Sequence, residues 1–412
     1  MRRDDAGSLI HLVGLGARGI RALVQDTHIA VHDSVVGGME RAFGPAARRI
    51  GGLHGAHLNG IYKVVDLGLQ AASAAGVAAA AYTERSAAQD EPERLPPGIR
   101  LADTPHTALM LAFVNGMYGD RLAAMGHPFA GPMVLRQDGA DVPPTPQGLA
   151  AAYPAATDRL AVFLHGLMET EDSWRFRALP QYGDATISYG SRLAADGGFT
   201  PVWVRYNTGR AVAENGRDLA HLVNAVVEGW PVPVRDIVLV GHSMGGLVLH
   251  SALAQAEGSW PELVHSTVTL GTPYLGAPLE RGAKALADRV TPIAQARWLK
   301  GTIDSRSVGI RDLGEGLGAH EELYPGGSGP SSHCRHFLVF GALLPKERGR
   351  WQEFAGDVLV PIPSASGGYD VARLPEGGVA TVVSIPRVHH LALLNHPAVY
   401  ERLRAWFVPE PA

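Results

Sequence analysis

Asp236-Ile237-Val238-Leu239-Val240-Gly241-His242-Ser243-Met244-Gly245-Gly246 decides the reading of this 412-residue chain. A short run of branched apolar residues ends in G-x-S-x-G. Leu247, Val248, Leu249, Ala252 and Leu253 then follow at helical spacing, so the pattern is strand, sharp turn, helix. Such a turn holds its central residue in a strained backbone conformation, while flanking glycines let neighbouring segments approach and leave the hydroxyl exposed. Ser243 is therefore the candidate nucleophile. In a chain with 50 glycines the five letters alone carry little, because a glycine-rich turn with an idle serine gives the same string; the strand before and the helix after are what make it an elbow.

Working outward, the residues from about Pro132 alternate short apolar runs with helical patterns, the grammar of a mainly parallel sheet covered by helices on both faces. Strands are expected at Met133 to Arg136, Leu160 to Leu164, Pro201 to Tyr206, Ile237 to Val240, Ser266 to Leu270, His336 to Phe340 and Val379 to Ile385. Helices are expected at Ile187 to Ala195, Ala211 to Glu228, Met244 to Ala256 and Pro397 to Phe407. An insertion at about 279–332, with a helix near Ala283 to Leu299 and then a Gly- and Pro-rich run, falls where a cap over the site belongs.

Residues 1–128 read differently. Ile20, Leu23, Val24, Val31, Val35, Met39 and Phe43 form a helical stripe, Glu84 to Pro97 is a polar loop, and a further helix runs from about Thr104 to Met125. The expected division is a helical N-terminal extension, 1–128, and a catalytic α/β domain, 129–412. Gly14-Leu15-Gly16-Ala17-Arg18-Gly19 imitates a dinucleotide fingerprint, with Asp33 at the distance of a ribose-binding acid. The residues after it continue as one amphipathic helix instead of a β-α-β unit, which excludes that reading. Packing on the body or a homo-oligomer contact is the expected use of these N-terminal helices.

A serine hydroxyl is a poor nucleophile at neutral pH, so the chain must supply a base and an acid to orient it. Asp357 lies in a glycine-led loop after the sixth strand, and His389-His390 follow the last strand. Ser, then Asp, then His is the order found in α/β-hydrolases. His390 is the expected base, since it opens the Leu391, Leu393, Leu394 run that anchors its loop; His389 is the alternative, and adjacent side chains point different ways. His396, beside Asn395 and Pro397, suits the start of the last helix. The oxyanion needs two backbone N–H donors. Met244 is one and Leu167, in His165-Gly166-Leu167-Met168, is the other, with His165 holding that loop by local hydrogen bonds.

The net charge of −4, with 46 % hydrophobic and 18 % charged residues, describes a globular protein with no basic field for nucleic acid. One cysteine, Cys334, excludes an intrachain disulfide and a cysteine metal cluster. The run from Leu9 to Leu15 is too short for a signal peptide, and Val64 to Tyr82 carries Asp66 and Gln70, so no membrane span is expected and the cytoplasm is the expected location.

Leu164-His165-Gly166-Leu167, Arg205-Tyr206-Asn207-Thr208-Gly209 with Glu214-Asn215-Gly216-Arg217, the elbow GHSMGG, and Gly271-Thr272-Pro273-Tyr274-Leu275-Gly276-Ala277-Pro278 together resemble bacterial lipases and esterases of the α/β-hydrolase superfamily, in the branch of the GPI inositol-deacylase-like esterases. The resemblance spans about residues 130 to 408 and departs at the acid loop, Gly-Asp-Val here against the usual Gly-Asp-Gly. It implies a triad of Ser243, Asp357 and His390, with Leu167 and Met244 as oxyanion donors. The expected substrate is a small hydrophobic ester of a short to medium acyl chain, and the reaction requires no metal or organic cofactor. A thioesterase or acyltransferase would use the same residues, and a non-catalytic binding protein would need a broken triad.

Overall fold

The structure, a computed structural model, describes residues 105–127, 129–276, 307–316, 334–342, 357, 359–360, 362–366 and 380–408. The chain divides into two compact units, Met1–Met110 and Leu111–Ala412. The expected helices before residue 104, the imitation dinucleotide fingerprint, the proposed oligomer contact and most of the expected cap lie outside the described residues.

The described residues form an eight-stranded sheet in the order β2-β1-β4-β3-β5-β6-β7-β8. Its strands are β1 Val134–Gln137, β2 Ala140–Val142, β3 Arg159–Leu164, β4 Thr200–Arg205, β5 Asp236–His242, β6 Val264–Leu270, β7 Arg335–Ala342 and β8 Ala380–Pro386. From β4 to β8 every pairing is parallel, and the β1–β2 hairpin joins antiparallel at the β4 edge. The chain moves from β3 outward to β4 and then back across to β5, so the carboxyl ends of β3 and β5 flank the point where the winding reverses, the usual place for a ligand crevice in such sheets.

Both sheet faces are covered. In β3, Leu160, Val162 and Leu164 enter one core with Ile237 and Leu239 of β5, while Ala161 and Phe163 enter the other with Val238 and Val240. This two-sided burial is why the strands read as continuous apolar runs and not as alternation. Helices α1 Pro105–Ala124, α2 Pro146–Ala152, α3 Tyr189–Gly197, α4 Val212–Gly229, α5 Met244–Ala254, α6 Val308–Glu315 and α7 Pro397–Phe407 accompany the sheet. The first core takes residues of α4 and α5, and the second takes Tyr189 and Leu193 of α3 with Val399, Tyr400, Leu403 and Phe407 of α7. Helix α3 begins at a Ser188–Ser191 capping box, and α7 at His396, whose side chain accepts from the Ala398 N–H. His396 thus has the structural place expected of it. No helix among the described residues is long and apolar enough to cross a membrane.

The segment Asn207–Gly209, just past β4, is a hub. The Asn207 side chain donates to the Gly119 carbonyl of α1 at 3.0 Å, the Gly309 N–H of α6 donates to the Gly209 carbonyl at 3.0 Å, and Ser307 Oγ donates to the Gly116 carbonyl at 2.6 Å. Asn215 of α4 closes the hub from below, donating to the Asn207 carbonyl at 2.9 Å. Residues of α1 therefore bond directly to segments of the sheet domain, on the far side of the boundary expected near residue 128.

The β1–β4 edge is fastened by buried charge. Glu171, in the 3-10 turn Glu171–Arg175, accepts from Arg136 of β1 at 3.0 Å and from Arg205 of β4 at 2.5 and 2.6 Å. Burial pushes the Glu171 carboxyl up, but its bonds and charge pairing with Arg205, and its bond to Arg136, outweigh that and hold it below the ordinary value. Arg136 is 1 % exposed, so removing Glu171 strips a buried cation of one of its partners. Glu171→Ala is expected to lower unfolding free energy by about 3 kcal/mol, read from urea denaturation; a loss under about 1 kcal/mol would contradict this account of the edge.

Candidate active site

At the carboxyl end of β5 the chain turns through Ser243, whose φ of 51° and ψ of −121° are rare for a residue with a side chain. The Ser243 N–H donates to the Leu270 carbonyl at the end of β6 at 2.8 Å, and its own carbonyl accepts from Thr272 Oγ1 and the Gly246 N–H, each at 3.0 Å. The turn is tight enough that a Cβ on Gly245 would stand 2.5 Å from the Leu164 carbonyl oxygen and 2.7 Å from that of His165. The elbow and the loop after β3 are thereby pressed together. Met244 opens α5, so its N–H has no acceptor within the helix and points out of the helix N-terminus.

The loop after β3 is a turn closed by the Glu169 N–H donating to the Gly166 carbonyl at 3.2 Å, with Met168 at a φ of 59°. Leu167 sits at its tip, half-buried against the first core. The Met168 N–H donates to Thr208 Oγ1 at 3.2 Å, and a Cβ on Gly116 of α1 would clash with the Met168 side chain. His165 is fully buried. Its Nδ1 donates to the Gly166 carbonyl at 2.9 Å and its Nε2 accepts from the Tyr206 N–H at 3.4 Å, its ring stacked on that of Tyr206. Burial keeps its pKa below the ordinary histidine value, in accord with a neutral ring with one donor and one acceptor and with the local role expected of it.

Asp357 and His390 meet at 2.7 Å, Oδ2 to Nδ1. The Asp357 side chain has no exposure, and its other oxygen accepts from the Leu359 and Val360 N–H groups at 3.2 and 2.9 Å. The backbone doubles the contact, since the His390 N–H donates to the Asp357 carbonyl at 3.0 Å. Burial drives the His390 ring toward neutrality, but the charge of Asp357 and its hydrogen bond, with a further contribution from Glu169, raise its pKa above the ordinary value. His389 faces elsewhere, half-buried with its ring edge-on to Phe176. Of the two adjacent histidines, it is His390 that the structure brings to the acid.

Gly271 joins these parts. It directly follows Leu270, whose carbonyl holds Ser243, and a Cβ added to it would lie 2.8 Å from His390 Nδ1 and 2.9 Å from Asp357 Oδ2. The His242 ring, next to Ser243 in the chain, packs 4.7 Å from the His390 ring. The His390–Asp357 pair thus packs against Gly271, the residue after the carbonyl that holds the Ser243 backbone, at the carboxyl edge of the sheet.

Residues 192–312 match the PGAP1-like alpha/beta domain family. The matched span contains the elbow and Gly271 but neither Asp357 nor His390. Among solved structures, the propeptide form of a Bacillus licheniformis lipase is similar at 18 % identity and a TM-score of 0.44, over 68 % of this chain and 55 % of that one. A lipase from Pelosinus fermentans is 15 % identical at a TM-score of 0.39, covering 62 % of this chain and 100 % of its own, and an esterase from Thermogutta terrifontis is 15 % identical at 0.36, covering 61 % and 90 %. The present chain thus spans little more than half the length of the first of these. No curated protein matches it in sequence. The mostly parallel sheet with helices on both faces is an α/β fold, and the matched span includes its β5–elbow–α5 segment.

The raised pKa of His390 gives a check that needs no substrate. Titrated by NMR, the ring should have its midpoint above 6.5, and in Asp357→Asn, where burial acts without the carboxylate, the midpoint should fall. A wild-type midpoint at or below that value, unmoved by the substitution, would contradict the pairing.

Proposed function

We propose that this protein is a serine carboxylester hydrolase that cleaves short- to medium-chain acyl esters through an acyl-enzyme on Ser243. The observation that carries the reading is the buried Asp357–His390 hydrogen bond at 2.7 Å, set against the glycine that follows the carbonyl holding Ser243. A carboxylate bound to Nδ1 fixes the ring so that Nε2 is the nitrogen free to take a proton.

In the reaction, Ser243 Oγ attacks the ester carbonyl carbon while its proton passes to His390 Nε2. The carbonyl π electrons move onto oxygen, and the oxyanion is met by the N–H groups of Leu167 and Met244. Collapse expels the alcohol oxygen, which takes the proton from His390, and leaves an acyl group on Ser243. Water then gives a proton to His390 and attacks the acyl carbon, and departure of Ser243 Oγ, which recovers that proton, releases the acid. Leu275, exposed in the segment after Gly271, and Leu167 on the oxyanion turn offer apolar surface for the acyl chain.

The test is kcat/KM on p-nitrophenyl esters of increasing acyl length. Ser243→Ala and His390→Ala should each lose activity by a factor on the order of 10⁴ or more, Asp357→Asn by less, and His389→Ala by little. Activity kept in His390→Ala and lost in His389→Ala would reverse the choice of base. A folded wild-type chain silent on every oxygen ester but active on acyl thioesters would move the assignment to a thioesterase.

A further inference from the structure

The geometry points to Glu169 as a positioning residue that, through His242, ties together the three loops bearing the oxyanion donor, the nucleophile and the base. This rests on the triad proposed above and adds two residues to which the sequence reading gave no role.

Glu169 closes the turn after β3, and its side chain, 13 % exposed, folds back over that turn. One carboxylate oxygen accepts from the Gly166 N–H at 2.8 Å and from Ser173 Oγ at 3.3 Å. His242 Nδ1 lies 3.0 Å from the other oxygen and 3.1 Å from the first. Burial opposes the charge on this carboxyl, yet the His242 charge and hydrogen bond, with the Gly166 N–H, hold its pKa down to about 2. Glu169 is therefore a carboxylate at neutral pH and only accepts.

His242 extends the connection. It immediately precedes Ser243, has no exposure, and its Nε2 stands 3.3 Å from the His390 carbonyl oxygen. The carboxylate only accepts, so Nδ1 donates to it. The chain of contacts runs from Gly166 on the oxyanion turn, through Glu169 to His242 on the elbow, and on to His390 on the base loop. Through this buried pair the oxyanion turn, the elbow and the base loop are joined side chain to side chain and side chain to backbone.

Its effect belongs to the transition state. A ground-state ester carbonyl makes little use of the oxyanion donors, whereas the tetrahedral oxyanion depends on Leu167 and Met244 being correctly spaced, and a misplacement of about 1 Å costs on the order of 10²-fold. A clamp that served stability alone would shift the melting temperature and leave kcat unchanged.

The experiment uses the full chain with Glu169→Ala, Glu169→Gln and His242→Gln. It measures kcat and KM on a p-nitrophenyl ester, the inhibition constant of a trifluoromethyl ketone whose adduct with Ser243 places an oxyanion in the hole, and the melting temperature. Expected for Glu169→Ala is a fall in kcat of about 10²-fold with KM nearly unchanged, and a parallel loss of ketone affinity. Glu169→Gln keeps the acceptor for Gly166 and the side-chain volume, so it should recover part of the loss, and it carries the test if the alanine variant does not fold. Folded Glu169→Gln and His242→Gln with wild-type kcat and ketone affinity, or with a lowered melting temperature alone, would overturn the inference. A wild-type chain that neither turns over ester nor binds the ketone would instead overturn the triad reading itself.

Discussion

A serine backbone at a φ of 51° and a ψ of −121° lies where residues with a Cβ are disfavoured by about 1–3 kcal/mol, and Ser243 stays there because its surroundings over-determine it. β5 is buried on both faces and cannot shift its register without moving both cores. β6 holds the Ser243 N–H through Leu270, Thr272 holds its carbonyl, and Gly245 leaves no room between α5 and the end of β3. The consequence is that the elbow fixes more than its own hydroxyl. It sets the spacing of the turn after β3, and through Gly271 it sets the gap that the His390–Asp357 pair occupies.

Buried charge is the second constraint, and it follows one rule at three places. Asp357 against His390, Glu169 against His242, and Glu171 against Arg136 and Arg205 each place a carboxylate where solvation is poor and give it a cation or a basic ring. Burial raises the cost of the carboxylate charge in the two glutamates, and the partner outweighs it in each, so both stay ionised at neutral pH. The two glutamates are two residues apart, yet they serve different ends of the structure. Glu171 secures the hairpin edge of the sheet, and Glu169 faces the elbow.

Particular residues explain what the sequence disclosed. The seven expected strands are present, the five from β3 to β7 as apolar runs produced by burial on both faces, and the elbow is readable because its strand and helix flank it directly. β2 was not read: Ala140–Val142 is short and contains an aspartate, although Asp138-Gly139, at φ values of 49° and 80°, form the two-residue turn that Asp-Gly signals. Asp357 and His390 were placed by their order after strands, which topology preserves. Glu169 and His242 were not, because their importance depends on a side chain folding back and on a neighbour 73 residues away, which no local pattern encodes. Gly116 and Gly119 of α1 belong to the same class, since their smallness matters only against Met168 and Asn207.

The central claim is that acyl groups are carried on Ser243, and mass spectrometry of the protein after brief reaction with a fluorophosphonate tests it most directly. The account predicts one adduct per chain, located by peptide mapping on Ser243, formed slowly in His390→Ala and at the wild-type rate in His389→Ala. Folded wild-type protein that stays unlabelled, or an adduct on another serine that survives Ser243→Ala, would contradict it.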